Sequence, residues 1–154
     1  MEGITLGHSG NSRAVGRLRS AAAGAVAAAV WAAEEPLDRW VFGCDYSDVA
    51  LLGKLVTRGP RWRVIGWAIH LGNGAVFGLT YHEVRERTSI PPRGLAVGMA
   101  LAEHVALYPL GLLLDDRHPA RGEAGIPYFG GNWRAFAQAT WRHALFGSVL
   151  GRLA

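Results

Sequence analysis

The stretch Gly94 to Leu114, GLAVGMALAEHVALYPLGLLL, is an apolar run long enough to cross a bilayer, and it carries Glu103 and His104 at its midpoint. A membrane-spanning helix needs about 20 mostly apolar residues, and an ionisable side chain near the bilayer centre costs roughly 3 kcal/mol unless it meets a partner or water. His104 is therefore expected to face other helices. Steps of three and four residues from it reach Ala100, Tyr108 and Gly111, a face of small and polar residues suited to close helix packing.

Three further runs supply partners for that face. Arg13, Arg17 and Arg19 precede AAAGAVAAAVWAA (Ala21 to Ala33), which reads as a first helix; a cleaved secretion signal is the alternative, weakened by the missing leucine-rich centre and by the spans that follow. That helix enters EEPLDRW, where Pro36 demands a kink or a helix end. Val64 to Tyr81 has His70 as its only ionisable group, on a face with Gly66, Asn73, Gly74 and Gly78. Trp133 to Leu153 carries Gln138, Arg142 and His143, with Ala139 and Gly147 beside the histidine, while Arg142 points elsewhere and is a candidate partner for Glu103. The expected fold is all-α, a four-span transmembrane helical bundle with spans near 18–42, 64–81, 94–114 and 133–153. Residues 1–12 are expected to be a disordered polar tail and 13–154 a single membrane domain. Gly43 to Arg63 reads as an interfacial segment and Asp115 to Asn132 as a loop.

Composition agrees. Half of the 154 residues are hydrophobic and 18% are charged, while the formal charge of +4 comes from arginines that flank the apolar runs, with Lys54 the only lysine. No basic patch points to nucleic acid, and the expected surroundings are a lipid bilayer, with a homo-oligomer or a membrane partner protein as further options. The single cysteine, Cys44, excludes an intramolecular disulfide and reads as an ordinary small loop residue. No nucleotide loop, nucleophile elbow or paired catalytic carboxylate motif nominates an enzymatic reaction.

Up-and-down threading with about 1.5 Å of advance per residue places His70, His104 and His143 at one depth, with Glu34 joining them if the first helix continues to Phe42. Asn73, Glu103, Tyr108 and Arg142 are the supporting polar groups. Three readings of this buried cluster stand: a structural hydrogen-bond network, a site that senses or relays protons, and a metal or haem site with Glu34, His70, His104 and His143 as the ligands. No HxxxH or ExxH pair on one helix supports the third.

The pieces WAAEEPLDR, IHLGNGAVFGLTYHE, EHVALYPLGLL and QATWRHALFG, in that order, resemble the YagU-like bacterial inner-membrane proteins (the DUF1440 family), over about two thirds of the chain. The most specific piece is HVALYPLG, in which Pro109 and Leu110 follow His104 by five and six residues. The resemblance puts Glu34 (not Glu35), His70, Tyr81, His104, Pro109 and His143 at family positions. It implies a multi-pass protein of the inner (cytoplasmic) membrane and a role linked to survival of acid stress. The segment between the first two spans and the C-terminus are shorter here than in the family.

Overall fold

Alanine fills most of the first apolar run and has no side-chain entropy to lose, so the helix it starts propagates well beyond it. In the computed structural model, which describes residues 7–154 and side chains from residue 11, helix α1 runs Gly7–Phe42 and continues through Pro36. The polar tail expected over 1–12 is thus corrected in part: residues 7–12 form the first turns of α1, and residues 1–6 lie outside the described residues. Helix α2 (Asp48–Val56) follows, opened by Ser47, whose hydroxyl accepts from the Ala50 amide at 3.1 Å. Then come α3 (Trp62–Arg85), α4 (Pro92–Leu107), α5 (Pro109–Arg117) and α6 (Trp133–Leu153), the last capped by Asn132. All the secondary structure among the described residues is helical.

The run 94–114 is not one straight helix. Proline has no amide proton to donate, so the helix breaks at Tyr108 before Pro109, and α4 and α5 meet at a 45° bend. Asp115, Asp116 and Arg117, expected in a loop, instead finish α5. Among the described residues no single helix is long and apolar enough to cross a membrane, and α4 with α5 reaches that standard only as a bent pair.

Neighbouring helices follow the order α3, α1, α6, α4, with α2 laid against α3. The contacts are made by small residues. A Cβ on Gly78 would collide with the Ser20 carbonyl oxygen, and one on Gly24 with the Gly74 carbonyl oxygen, so α1 and α3 cross at backbone contact. A Cβ on Gly147 would lie 2.6 Å from Val97 Cα, which brings α6 equally close to α4. By contrast α3 and α4 scarcely touch, and a cleft remains between them.

One core cluster lies between the helices and is built largely from Ala23, Ala27, Ala28, Ala96 and Ala100 with Trp31 and Phe146. A second closes one end of the bundle, where Tyr46, Leu51, Ile126 and Phe129 pack under the segment 118–132. Asp115 anchors that segment by accepting from the Phe129 amide at 2.7 Å and the Gly130 amide at 2.6 Å. His118, read from sequence as part of an exposed loop, is fully buried there and bonds the Leu51 carbonyl oxygen at 2.9 Å through Nε2.

Candidate functional site, a buried polar layer

Helices α3, α4 and α6 each bring a histidine, His70, His104 and His143, to one layer between them. On α3 the buried residues are Gly66, His70, Gly74, Gly78, Tyr81 and His82, whereas Val64 and Val76 are 72% and 63% exposed. His70 and His104 are buried, and His143 is partly buried on α6. The rings meet around Trp31 of α1. Its indole lies 5.5 Å from the His70 ring and 4.6 Å from the His143 ring, and His143 lies 4.8 Å from His104.

The hydrogen-bond partners fix the tautomers, since a carbonyl oxygen can only accept. His70 donates Nε2–H to the Ala28 carbonyl oxygen at 3.0 Å, and His143 donates Nδ1–H to the Ala139 carbonyl oxygen at 2.7 Å. Thr140 spends its own hydroxyl proton on the Phe136 carbonyl oxygen, so His104 Nε2–H donates to the Thr140 oxygen at 2.9 Å. Every ring therefore keeps one nitrogen lone pair for another purpose. His104 also packs against Tyr108, whose hydroxyl lies within 3.4 Å of the Phe129 and Asn132 carbonyl oxygens.

The acid beside this layer is Asp48, at the start of α2. It accepts from the Trp31 indole at 2.9 Å, the Tyr46 hydroxyl at 2.6 Å and Arg142 Nη1 at 3.0 Å. Arg142, expected to point away and to pair with Glu103, is instead fully buried. Its guanidinium grips Asp38 through Nε and through Nη2 at 2.7 Å, donates to the Tyr46 carbonyl oxygen at 2.9 Å and lies 3.8 Å from Glu35. The fork geometry explains the choice: three acids on α1 and α2 converge within its reach. Gln138 adds a donor to Asp38 at 2.7 Å, and Arg39 holds Glu35 at 3.0 Å.

Glu34 is placed differently from the expectation. It accepts from the Trp141 indole at 2.6 Å, and its Oε2 is buried without a donor. It lies on the α1 face turned to Trp141, while Glu35 and Asp38, one and four residues on, carry the buried charge pairing. Asp48 and Tyr46, read from sequence only as part of an interfacial segment, join the site because α2 packs against α3. The available signal was the serine N-cap immediately before Asp48.

A cavity of about 210 Å³ joins these groups, lined by Trp31, Asp48, His70 and His143, with Asn73 and Glu103 toward the α3/α4 cleft. Among the described residues no three His, Cys, Asp or Glu stand together as a metal-ion site. The facing rings of His104 and His143, 4.8 Å apart and tilted by 33°, leave no room for a porphyrin between them.

Asp48 titrates below the usual aspartate range. Burial works to raise it, but Arg142, then His70 and the Tyr46 hydroxyl, favour the anion by more. Tyr46 is pushed well above the ordinary phenol by burial and by Asp48. A carboxyl depressed in the fold adds stability that is fully present above its unfolded value near ~3.9 and is lost as pH falls through the folded value. Thermal stability should therefore hold, as far as this group is concerned, from about pH 7 to about pH 5 and fall below about pH 4, with a smaller acid-induced fall in Asp48→Asn. An acid loss of equal size in that variant would remove Asp48 as its source.

No family model matches the chain, and no curated protein and no solved structure shows detectable similarity to it.

Proposed function

We propose that this chain is a YagU-like, four-span protein of the bacterial inner membrane whose buried histidine layer handles protons under acid stress. The observation that carries the membrane part is the inversion of side-chain size across the helices. Alanine, glycine and histidine are buried, while Val15, Leu18, Val30, Val64, Val76, Val105, Leu112 and Leu113 lie outside. Water disfavours such a surface and lipid favours it. Helix α3, with 24 residues, is about 36 Å long, enough for a hydrocarbon core of about 30 Å. Trp40, 80% exposed, and Trp133, 69% exposed, stand near helix ends, as headgroup-level aromatics do.

The proton part rests on three imidazoles that each retain a lone pair: His70 and His143 pack on Trp31 and line a cavity with Asp48, and His104 packs on His143. An imidazole is the side chain that changes charge near neutral pH, and neighbouring rings titrate as a unit. A wholly structural network explains the hydrogen bonds to backbone but not the three retained lone pairs beside a cavity.

Two measurements test this reading. The protein should remain with the membrane fraction after alkaline carbonate extraction, and quantitative release would end the membrane assignment. In histidine-labelled protein in micelles, the NMR shifts of His104 and His143, whose rings are in contact, should each report the other ring's protonation. Three independent titrations, or none, would contradict proton handling.

A further inference from the structure

We propose that the cavity between Trp31, Glu103 and His143 is a binding site for a small organic cation of the alkylammonium class, with Glu103 as its counter-ion. This site is the one assigned to proton handling above and the inference rests on that assignment for its location, but not for its chemistry.

The walls are aromatic. Trp31, Phe77 and Phe146 line the cavity, and their faces attract cations that carry little hydration, as alkylammonium groups do. The polar groups available to it are chiefly acceptors: the ring nitrogens of His70 and His143 that are not bonded to backbone, and the carboxylates of Asp48 and Glu103. Their charges differ in compensation. Asp48 is neutralised by Arg142 and saturated by Tyr46 and Trp31, while the Glu103 carboxylate has no ion pair or hydrogen bond among the described residues. A half-buried carboxylate with no partner is a costly arrangement unless a cation or a proton accompanies it. At roughly 30 Å³ for each water-sized group, a cavity of about 210 Å³ accommodates a nitrogen with four methyl groups and leaves space for water.

Access is from the side. Asn73, Phe77, Glu103 and Leu107 line both this cavity and the cleft between α3 and α4, two helices that scarcely touch. Glu103 thus stands at the mouth. The groups that face it are His70 from α3, Asp48 from α2 and His143 from α6, with His104 next to it in sequence; α1 contributes only Trp31 and Ala28 to this cavity. A proton and an organic cation therefore compete for one carboxylate, so that cation binding displaces a proton and acid releases the cation.

The test is calorimetric titration of the purified full chain, in neutral-detergent micelles, with tetramethylammonium chloride. Saturable binding is expected at about pH 8 and should weaken as the pH is lowered toward about 5, with proton release detected as a dependence of the heat on buffer ionisation enthalpy. Glu103→Gln should weaken binding at least about tenfold, and Glu34→Gln should leave it unchanged. Should Glu103→Gln lose its helical circular dichroism, Trp31→Phe and the proton release of the unaltered chain carry the test. Absence of saturable binding at the higher pH, equal binding by Glu103→Gln, or binding without proton release at the lower pH, where acid weakens it, would each overturn the inference. A histidine titration that persists in a protein that does not bind the cation would overturn this inference alone and leave the proton-handling reading standing.

Discussion

Replacing Arg142 by leucine is expected to destabilise the protein by about 3–5 kcal/mol, read as a large drop in thermal unfolding temperature in micelles. The guanidinium is fully buried and is shared by Asp38, Asp48 and, more distantly, Glu35. Its loss strands these acids where water does not replace it, and that uncompensated charge supplies most of the effect. A second substitution at Asp38 should recover part of the loss. In the double variant Arg142→Leu with Asp38→Asn, the summed cost of the single changes should exceed the observed cost by about 0.5–3 kcal/mol, the signature of groups in one network. Additive costs would mean that the two side chains do not share a charge pairing. A conservative Arg142→Lys is not expected to rescue, because an ammonium cannot span both carboxylates and the Tyr46 carbonyl with a planar fork.

The second large effect concerns backbone contact. Gly78→Leu should cost about 1–3 kcal/mol or more, because even a Cβ at this position meets the Ser20 carbonyl oxygen and the crossing of α1 and α3 has to open. Gly147→Leu should behave alike at the α4/α6 crossing, where Val97 Cα stands 2.6 Å from the added carbon. Val76→Leu, on the same helix as Gly78 but 63% exposed, should stay within about 0.5 kcal/mol. Equal tolerance at Gly78 and Val76 would contradict the placement of the α3 face. Opening the α1/α3 crossing also moves Ala28 relative to His70, so the variant at Gly78 should disturb the histidine titration as well as the stability.

How much of this was legible in the sequence depends on which signal each part leaves. Helix α6 runs Trp133–Leu153, the bounds read from its apolar run, and the inward histidines of α3 and α4 follow from small residues at helical spacing. Periodicity sees such faces because packing imposes it. The break at Tyr108 was visible only as Pro109, and whether a proline kinks or ends a helix depends on its surroundings: α1 continues through Pro36 and α4 does not continue through Pro109. The acid partners were the hardest to read. Glu34, Glu35 and Asp38 lie within little more than one turn, so a small rotation of α1 decides which of them faces α6 inward and which meets Trp141. Asp48 joins the layer through a tertiary fold-back of α2 onto α3, for which spacing along the chain carries no signal. Arg142 was misread for the same reason: its partners come from α1 and α2, not from the neighbouring apolar run.

Asp48, not Glu34, is the anion beside the histidine layer. The most direct measurement is the NMR titration of His143 in the unaltered protein, in Asp48→Asn and in Glu34→Gln, each in micelles and each checked for native helical content. Loss of the Asp48 charge removes an anion that lines the same cavity as this ring and leaves Arg142 less compensated, and both changes disfavour a protonated imidazole. The titration midpoint should therefore move down in Asp48→Asn and stay where it is in Glu34→Gln. A midpoint that follows Glu34, or one indifferent to Asp48, would contradict the arrangement of the layer described here.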